Sequence, residues 1–116
     1  LQELLEKCNH QPESLTTQEI GQAAGEGNAF AKSEIEAAAR CLGWAVAQVI
    51  SLLAPEMVVI GGGVSLLGNL FLDPVRRATE AYVFPPLLHS YTIEPAALGE
   101  EVVVHGAIQL AISTPR

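Results

Sequence analysis

Four apolar residues without alternation, Met57-Val58-Val59-Ile60, stand between Pro55 and three consecutive glycines, Gly61, Gly62 and Gly63. A strand with one wet face alternates apolar and polar residues. A run that is apolar at every place predicts a strand buried on both faces, as in a parallel sheet. Parallel strands need a long crossover, and the sequence supplies one. Asp73-Pro74 reads as the N-cap and first residue of a helix that runs to Val83, with Val75, Ala78, Thr79 and Tyr82 inward. Pro85-Pro86 ends it, and His89 to Glu94 reads as a second short strand closed by Pro95. A strand, a helix and a strand in that order predict a right-handed parallel unit. Two strands do not make a stable sheet, so the partners are expected from residues outside the chain or from another copy of it.

The residues before this unit are helical in pattern. Leu1 to Cys8 carries Leu1, Leu4, Leu5 and Cys8 on one face, and Asn9 to Leu15, with Pro12, is a connection. Thr16 or Thr17 caps a short helix over Gln18–Ala24, with Glu19 placed for a capping box and Gly25 to end it. Asn28 caps the main helix, Ala29 to Leu53, whose stripe holds Ile35, Ala38, Ala39, Leu42, Val46, Val49, Ile50 and Leu53. From Cys41 onward that helix is apolar nearly all round, and burial on most sides is expected, with Trp44 in a core or an interface. Gly99-Glu100 is a turn, and Val102 to Ile112 is a final helix with the small residues Gly106, Ala107 and Ala111. The class is α/β, helical over 1–54 and strand, glycine loop, helix, strand and helix over 57–112.

Hydrophobic residues make up 49% and charged residues 16%, a globular balance. A net charge of -7 disfavours nucleic acid and anionic membrane surfaces. No apolar run reaches the length of a membrane span, so no membrane partner is expected. Cys8 and Cys41 read as reduced thiols of a cytoplasmic protein, and Cys8 with His10 is too few ligands for a metal site. His89 and His105 read as ordinary surface or packing residues, and Arg76-Arg77 as a solvated face. Leu1 to Lys7 has no signal-peptide pattern, and the chain opens mid-helix without Met, as expected of a fragment of a longer protein.

Gly61 to Gly63, with Val64 and Ser65 after them, follow the carboxyl end of the strand, the edge at which open parallel sheets bind ligands. Glycine lets a backbone approach a ligand and adopt positive φ. A tight strand-to-helix turn with no ligand is the equal alternative. Gly61 and Gly63 fit a dinucleotide fingerprint, but Leu66 stands at its third glycine, and no Lys lies near for a P-loop.

Several segments share one register. Leu42-Gly43, Pro55 with Val58-Val59-Ile60-Gly61-Gly62-Gly63-Val64, Ala96-Ala97-Leu98-Gly99 and Gly106-Ala107-Ile108-Gln109-Leu110-Ala111 together resemble the ROK family, as does Gly27-Asn28 with Ala31. The resemblance runs from Thr16 to Ala111. Asn28 replaces the family's usual Asp, and Val102-Val103 and Ile108 are bulkier than many members carry there. What it implies is the C-terminal lobe of an actin-like ATPase (ribonuclease H-like) fold, mostly helices with a short parallel strand pair. It implies an ATP-dependent sugar kinase using Mg2+, with Gly61, Gly62, Gly63 and Val64 on the adenosine side of the cleft. A homo-oligomer is expected on other grounds, because the helix from Cys41 to Leu53 is apolar nearly all round and the sheet is short of strands. The family's Asp-x-Gly-Gly-Thr and Asn-Asp motifs and its His and Cys-x-Cys-Gly-x-x-Gly-Cys zinc motif do not occur in these residues. The chain is therefore expected to be inactive alone, with no catalytic or metal residue of its own. The corresponding region of a ROK transcriptional repressor, which binds a sugar effector, is the alternative, and a stand-alone interaction module is a third.

Overall fold

The computed structural model describes residues 2–7 and 11–113. Among these residues five α-helices and two strands follow in the order α1 (Gln2–Lys7), α2 (Thr17–Gly25), α3 (Ala29–Leu53), β1 (Met57–Ile60), α4 (Asn69–Tyr82), β2 (Thr92–Pro95) and α5 (Val102–Ser113). Short 3-10 turns at Pro12–Ser14, Gly63–Leu67, Pro85–Leu87 and Gly99–Glu101 join them. Cys8 and His10 lie outside the described residues.

The caps follow local chemistry. The Thr16 hydroxyl accepts from the Glu19 amide at 3.2 Å, while the Thr16 amide donates to the Glu19 carboxylate at 2.8 Å, a reciprocal capping box. Gly27, at φ 97, takes the left-handed turn out of α2, not Gly25. The Asn28 side-chain oxygen, Oδ1, accepts from the Ala31 amide at 3.0 Å and starts α3. Ala54, left-handed at φ 46, and then Pro55 stop it.

The centre of the molecule is the crossing of α3 and α4. Gly43 allows it. A methyl group added there would stand 2.5 Å from the Ala78 Cβ and 2.8 Å from the Val75 carbonyl oxygen. Thr79, fully buried, turns its hydroxyl to the Val75 carbonyl at 2.9 Å and to the Gly43 carbonyl at 3.3 Å, across the crossing. Two apolar clusters flank this point. Leu4, Ala23, Ala24, Ala31, Ile35, Ala39, Phe71 and Val75 form one; Val46, Ala47, Ile50, Val83 and Ile93 form the other. The Phe84 amide donates to the Ser51 hydroxyl at 2.9 Å and fixes the exit of α4 to the end of α3.

β1 and β2 pair in parallel as expected, Val58 opposite Ile93 and Ile60 opposite Pro95. The Thr92 amide donates to the Glu56 carbonyl and the Ala96 amide to the Ile60 carbonyl, at 3.0 and 2.8 Å. Backbone groups of successive strand residues face opposite edges, so Met57 and Val59 present theirs to the far side of β1. That edge is open in the two-stranded sheet of the described residues.

Several expectations need correction. β1 is covered on one face only, and Met57 and Val59 are exposed. Its run without alternation marks two faces suited to burial; the second is left bare by the described residues. β2 begins at Thr92 rather than His89, because Leu87 and Pro85 carbonyls draw Ser90 and Leu88 into a turn. α4 starts five residues before Pro74, with Phe71 and Leu72 buried. Their burial outweighs the one helix bond that Pro74 cannot donate. Tyr82 is exposed. So is the outer side of α3, with Trp44 at 55% exposure, since α4 and the sheet cover only its Gly43, Val46, Ala47 and Ile50 side. α5 buries no residue among those described. By length and composition α3 is long and apolar enough to cross a membrane, with mean hydropathy 1.3, because the average tolerates Arg40 and Gln48 where an uninterrupted apolar run does not. Its inner side packs on α4 and the sheet.

The crossing gives a direct test. Gly43→Ala gains helix propensity but must displace backbone atoms of α4, so it is expected to cost about 1–3 kcal/mol. Gly25→Ala, with nothing within 4 Å of the new methyl, is expected to gain about 0.5–1 kcal/mol. Denaturant unfolding of both variants reads the contrast, and a neutral Gly43→Ala would show that the helices do not meet there.

Candidate functional site

Each glycine after β1 has its own geometry. Gly61 continues the strand past Ile60, and a Cβ there would meet the Ala96 Cβ at 3.4 Å. Gly62 turns the chain with φ 92, a value that L side chains rarely adopt. Gly63 opens the 3-10 turn. Nothing stands within 4 Å of a Cβ built at Gly62 or Gly63, so the backbone there faces open space.

Ser65 makes this shape rigid. Its side chain is buried, and both its amide and its hydroxyl donate to the Gly62 carbonyl, at 3.0 and 2.7 Å. Leu67, two residues on, sits against Gly21 of α2, where any side chain would strike it. On the other flank Leu66 lies 3.8 Å from the position of a Gly99 Cβ. The loop is thus wedged between α2 and the turn that follows β2.

Two hollows adjoin it. A cavity of about 390 Å³ is lined by Thr16, Thr17, Gln18, Gly63, Leu66 and Leu67. A smaller apolar one, about 170 Å³, lies between α2 and α3 with Val64, Leu67 and Phe71 in its wall. Gly63 lines the first hollow and Val64 the second. Thr16, Thr17 and Gln18 were not legible as neighbours of the loop. Their local signal is a helix cap, and nothing local says where the helix start points.

A second polar region lies between α4 and β2. Arg76 is not simply solvated there. Its Nε and Nη2 donate to the Ile93 carbonyl at 3.1 and 2.7 Å, and Nη1 donates to Asp73 at 3.0 Å. Glu80, His89, Tyr91 and Glu94 share with it a hollow of about 360 Å³. Among the described residues no group of three His, Cys, Asp or Glu could hold a metal ion. Cys41 is exposed and free, and His105 stands 3.7 Å from Glu101 on the surface of α5.

The chain as a whole has counterparts among known proteins. The model of the ROK family matches residues 2–114. The chain belongs to the ROK family. It is 38% identical over 92 residues to a glucokinase of Halalkalibacterium halodurans, covering 79% of this chain and 28% of that protein. A xylose repressor of Caldicellulosiruptor bescii is 34% identical over 87% of the chain and 25% of its own length. Among solved structures, a ROK family glucokinase from Streptomyces griseus, in complex with glucose and AMPPNP, superposes with a TM-score of 0.84 at 28% identity, over 96% of this chain and 36% of that one. The chain has the fold of part of an actin-like ATPase, mostly helices with a short parallel two-stranded sheet. The chain spans about a quarter to a third of the length of these relatives.

Tyr91 offers a test within the α4–β2 hollow. Its hydroxyl is buried without a partner among the described residues. Burial, with the negative charge of Glu80 second, raises the phenol above its ordinary value of 10.0. The neutral form is favoured in the fold, so this contribution is present below pH 10 and is lost as pH rises through the raised value. Tyr91→Phe removes an unpaired polar group and is expected to leave stability equal or higher at pH 7, with an advantage that grows above pH 10. Thermal melts at the two pH values check it. A variant weaker at pH 7 by more than about 1 kcal/mol would mean the hydroxyl is paired.

Proposed function

We propose that this chain forms the nucleotide side of an ATP-dependent sugar kinase, with Gly61, Gly62, Gly63 and Val64 lining the adenosine part of the cleft. The observation that carries the reading is the open glycine backbone at the carboxyl end of a parallel strand. Gly62 is held at φ 92 by a buried serine, and no atom fills the space a Cβ would take. Such a loop lets a flat ligand approach the main chain, which is what a base and ribose require. The glucokinase relatives and the AMPPNP-bound neighbour support it.

The chain would bind and orient; it would not perform the chemistry by itself. Transfer of a phosphoryl group needs a cradle for the phosphates, a metal and a carboxylate that takes the proton of the sugar hydroxyl. Asp73, the one aspartate, is engaged by Arg76 on α4. In this reading Mg2+ would be held by the nucleotide phosphates and by groups outside these residues. A kinase using ATP belongs in the cytoplasm, and the acidic chain offers neither nucleic acid nor an anionic membrane a complementary surface.

The repressor reading is favoured by one finding, the 34% identity to a xylose repressor over most of the chain. AMPPNP separates the two. A kinase segment binds it, and Gly62→Ala, which puts a side chain at positive φ, is expected to weaken binding about tenfold or more. Full affinity in that variant would remove the loop from the site. The 116-residue chain alone is expected to give background turnover with ATP, Mg2+ and hexoses in a coupled assay. Sugar-dependent turnover from it would overturn the reading.

The bare faces predict association. α5 exposes Val103, Leu110 and Ile112, and β1 exposes Met57 and Val59. Each 100 Å² of apolar surface covered is worth roughly 2.5 kcal/mol, so the chain alone is expected to form homo-oligomers at micromolar concentration in sedimentation. A monomer with a sharp thermal transition would show that it closes its own core.

A further inference from the structure

The outer edge of β2 is closed. Thr92 and Ala96 spend their amides on β1, so the backbone groups of Ile93 between them face away from it. The Ile93 carbonyl would be left to water, but the Arg76 guanidinium takes it with two bonds and is itself held by Asp73. Ile93 is buried in the Val46–Ile50 cluster, so the strand is gripped from both its side chain and its outer edge. Three residues further on, the Ala96 amide holds the Ile60 carbonyl, and Ala96 lies beside Gly61. Gly99, in the same turn, flanks Leu66.

We infer that Arg76 is a positioning residue for the Gly61–Leu67 loop. It fixes the outer edge of β2, and so the depth at which the Ala96–Gly99 turn meets the loop. It touches no part of the proposed nucleotide cleft. The consequence for nucleotide binding rests on the reading given above; the mechanical consequence does not. Arginine is needed because two donors in one plane reach a single carbonyl while a third holds Asp73. Lysine can bond the carbonyl but cannot hold Asp73 in the same geometry.

The test compares Arg76→Met and Arg76→Lys with the wild type in the complete protein, by hydrogen exchange and by calorimetric titration with AMPPNP. Protection of the Ala96 and Ser65 amides is expected to fall about tenfold or more in Arg76→Met and less in Arg76→Lys, while amides of Val46 to Ile50 keep theirs. AMPPNP affinity should fall in the same order. If Arg76→Met does not fold, Arg76→Lys alone decides by the same amides. Unchanged protection at Ala96 and Ser65 overturns the inference, and so does a loss spread equally over the α3 amides, which marks general destabilisation. Loosened loop amides with unchanged AMPPNP affinity uphold the mechanical role and overturn its consequence for nucleotide binding. A wild type that does not bind AMPPNP overturns the nucleotide reading, and the exchange data then still decide what Arg76 holds.

Discussion

Everything in this fold hangs on the approach of α3 to α4 at Gly43. The absence of one methyl group lets two backbones meet, and the Thr79 hydroxyl then bridges from one helix to the other. Both apolar clusters are consequences of that contact, since each takes side chains from the two helices or from the strand that follows α4. Interiors pack near crystal density, so a shift at such a point is transmitted along the helices rather than absorbed. The position of β2, and through Ala96 that of the glycine loop, follows from where α4 lies.

The loop carries little charge. No lysine or arginine lines the 390 Å³ hollow beside it. Its character comes from main-chain shape. Gly62 supplies the turn, Ser65 locks the Gly62 carbonyl, and Leu66 and Leu67 wedge the turn between α2 and the Gly99 segment. This arrangement suits an approach by the neutral part of a ligand. It leaves anionic groups to be met by residues elsewhere, in keeping with the acidic balance of the chain.

The described residues also leave many large apolar side chains exposed. α5 has no seat among the described residues, β1 has one bare face and an open edge, and α3 turns Trp44 outward. Those surfaces match the chain's short span against its relatives. By contrast the β2 edge is finished: Arg76 occupies the Ile93 carbonyl, and Pro95 has no amide to offer. Among the described residues the edge of β1 is open, while the outer edge of β2 is occupied at the Ile93 carbonyl.

Local chemistry fixed much of this in advance. The caps at Thr16 and Asn28, the stop after Leu53 and the parallel sense of the strands are short-range matters, governed by side chains within a few residues or by the length of a crossover. The glycine loop and the family were legible in the same way, through residues adjacent in sequence. What tertiary structure alone decided was burial and reach. Sequence showed that β1 and α3 could be buried on every side, but only the set of neighbours present says which sides are. The start of α4 before Pro74 was settled by the burial of Phe71 and Leu72, which outweighs a local stop signal. The meeting of Arg76 with Ile93, 17 residues away, was likewise invisible, because an arginine on a helix reads as solvated until the fold brings an unpaired carbonyl within its reach.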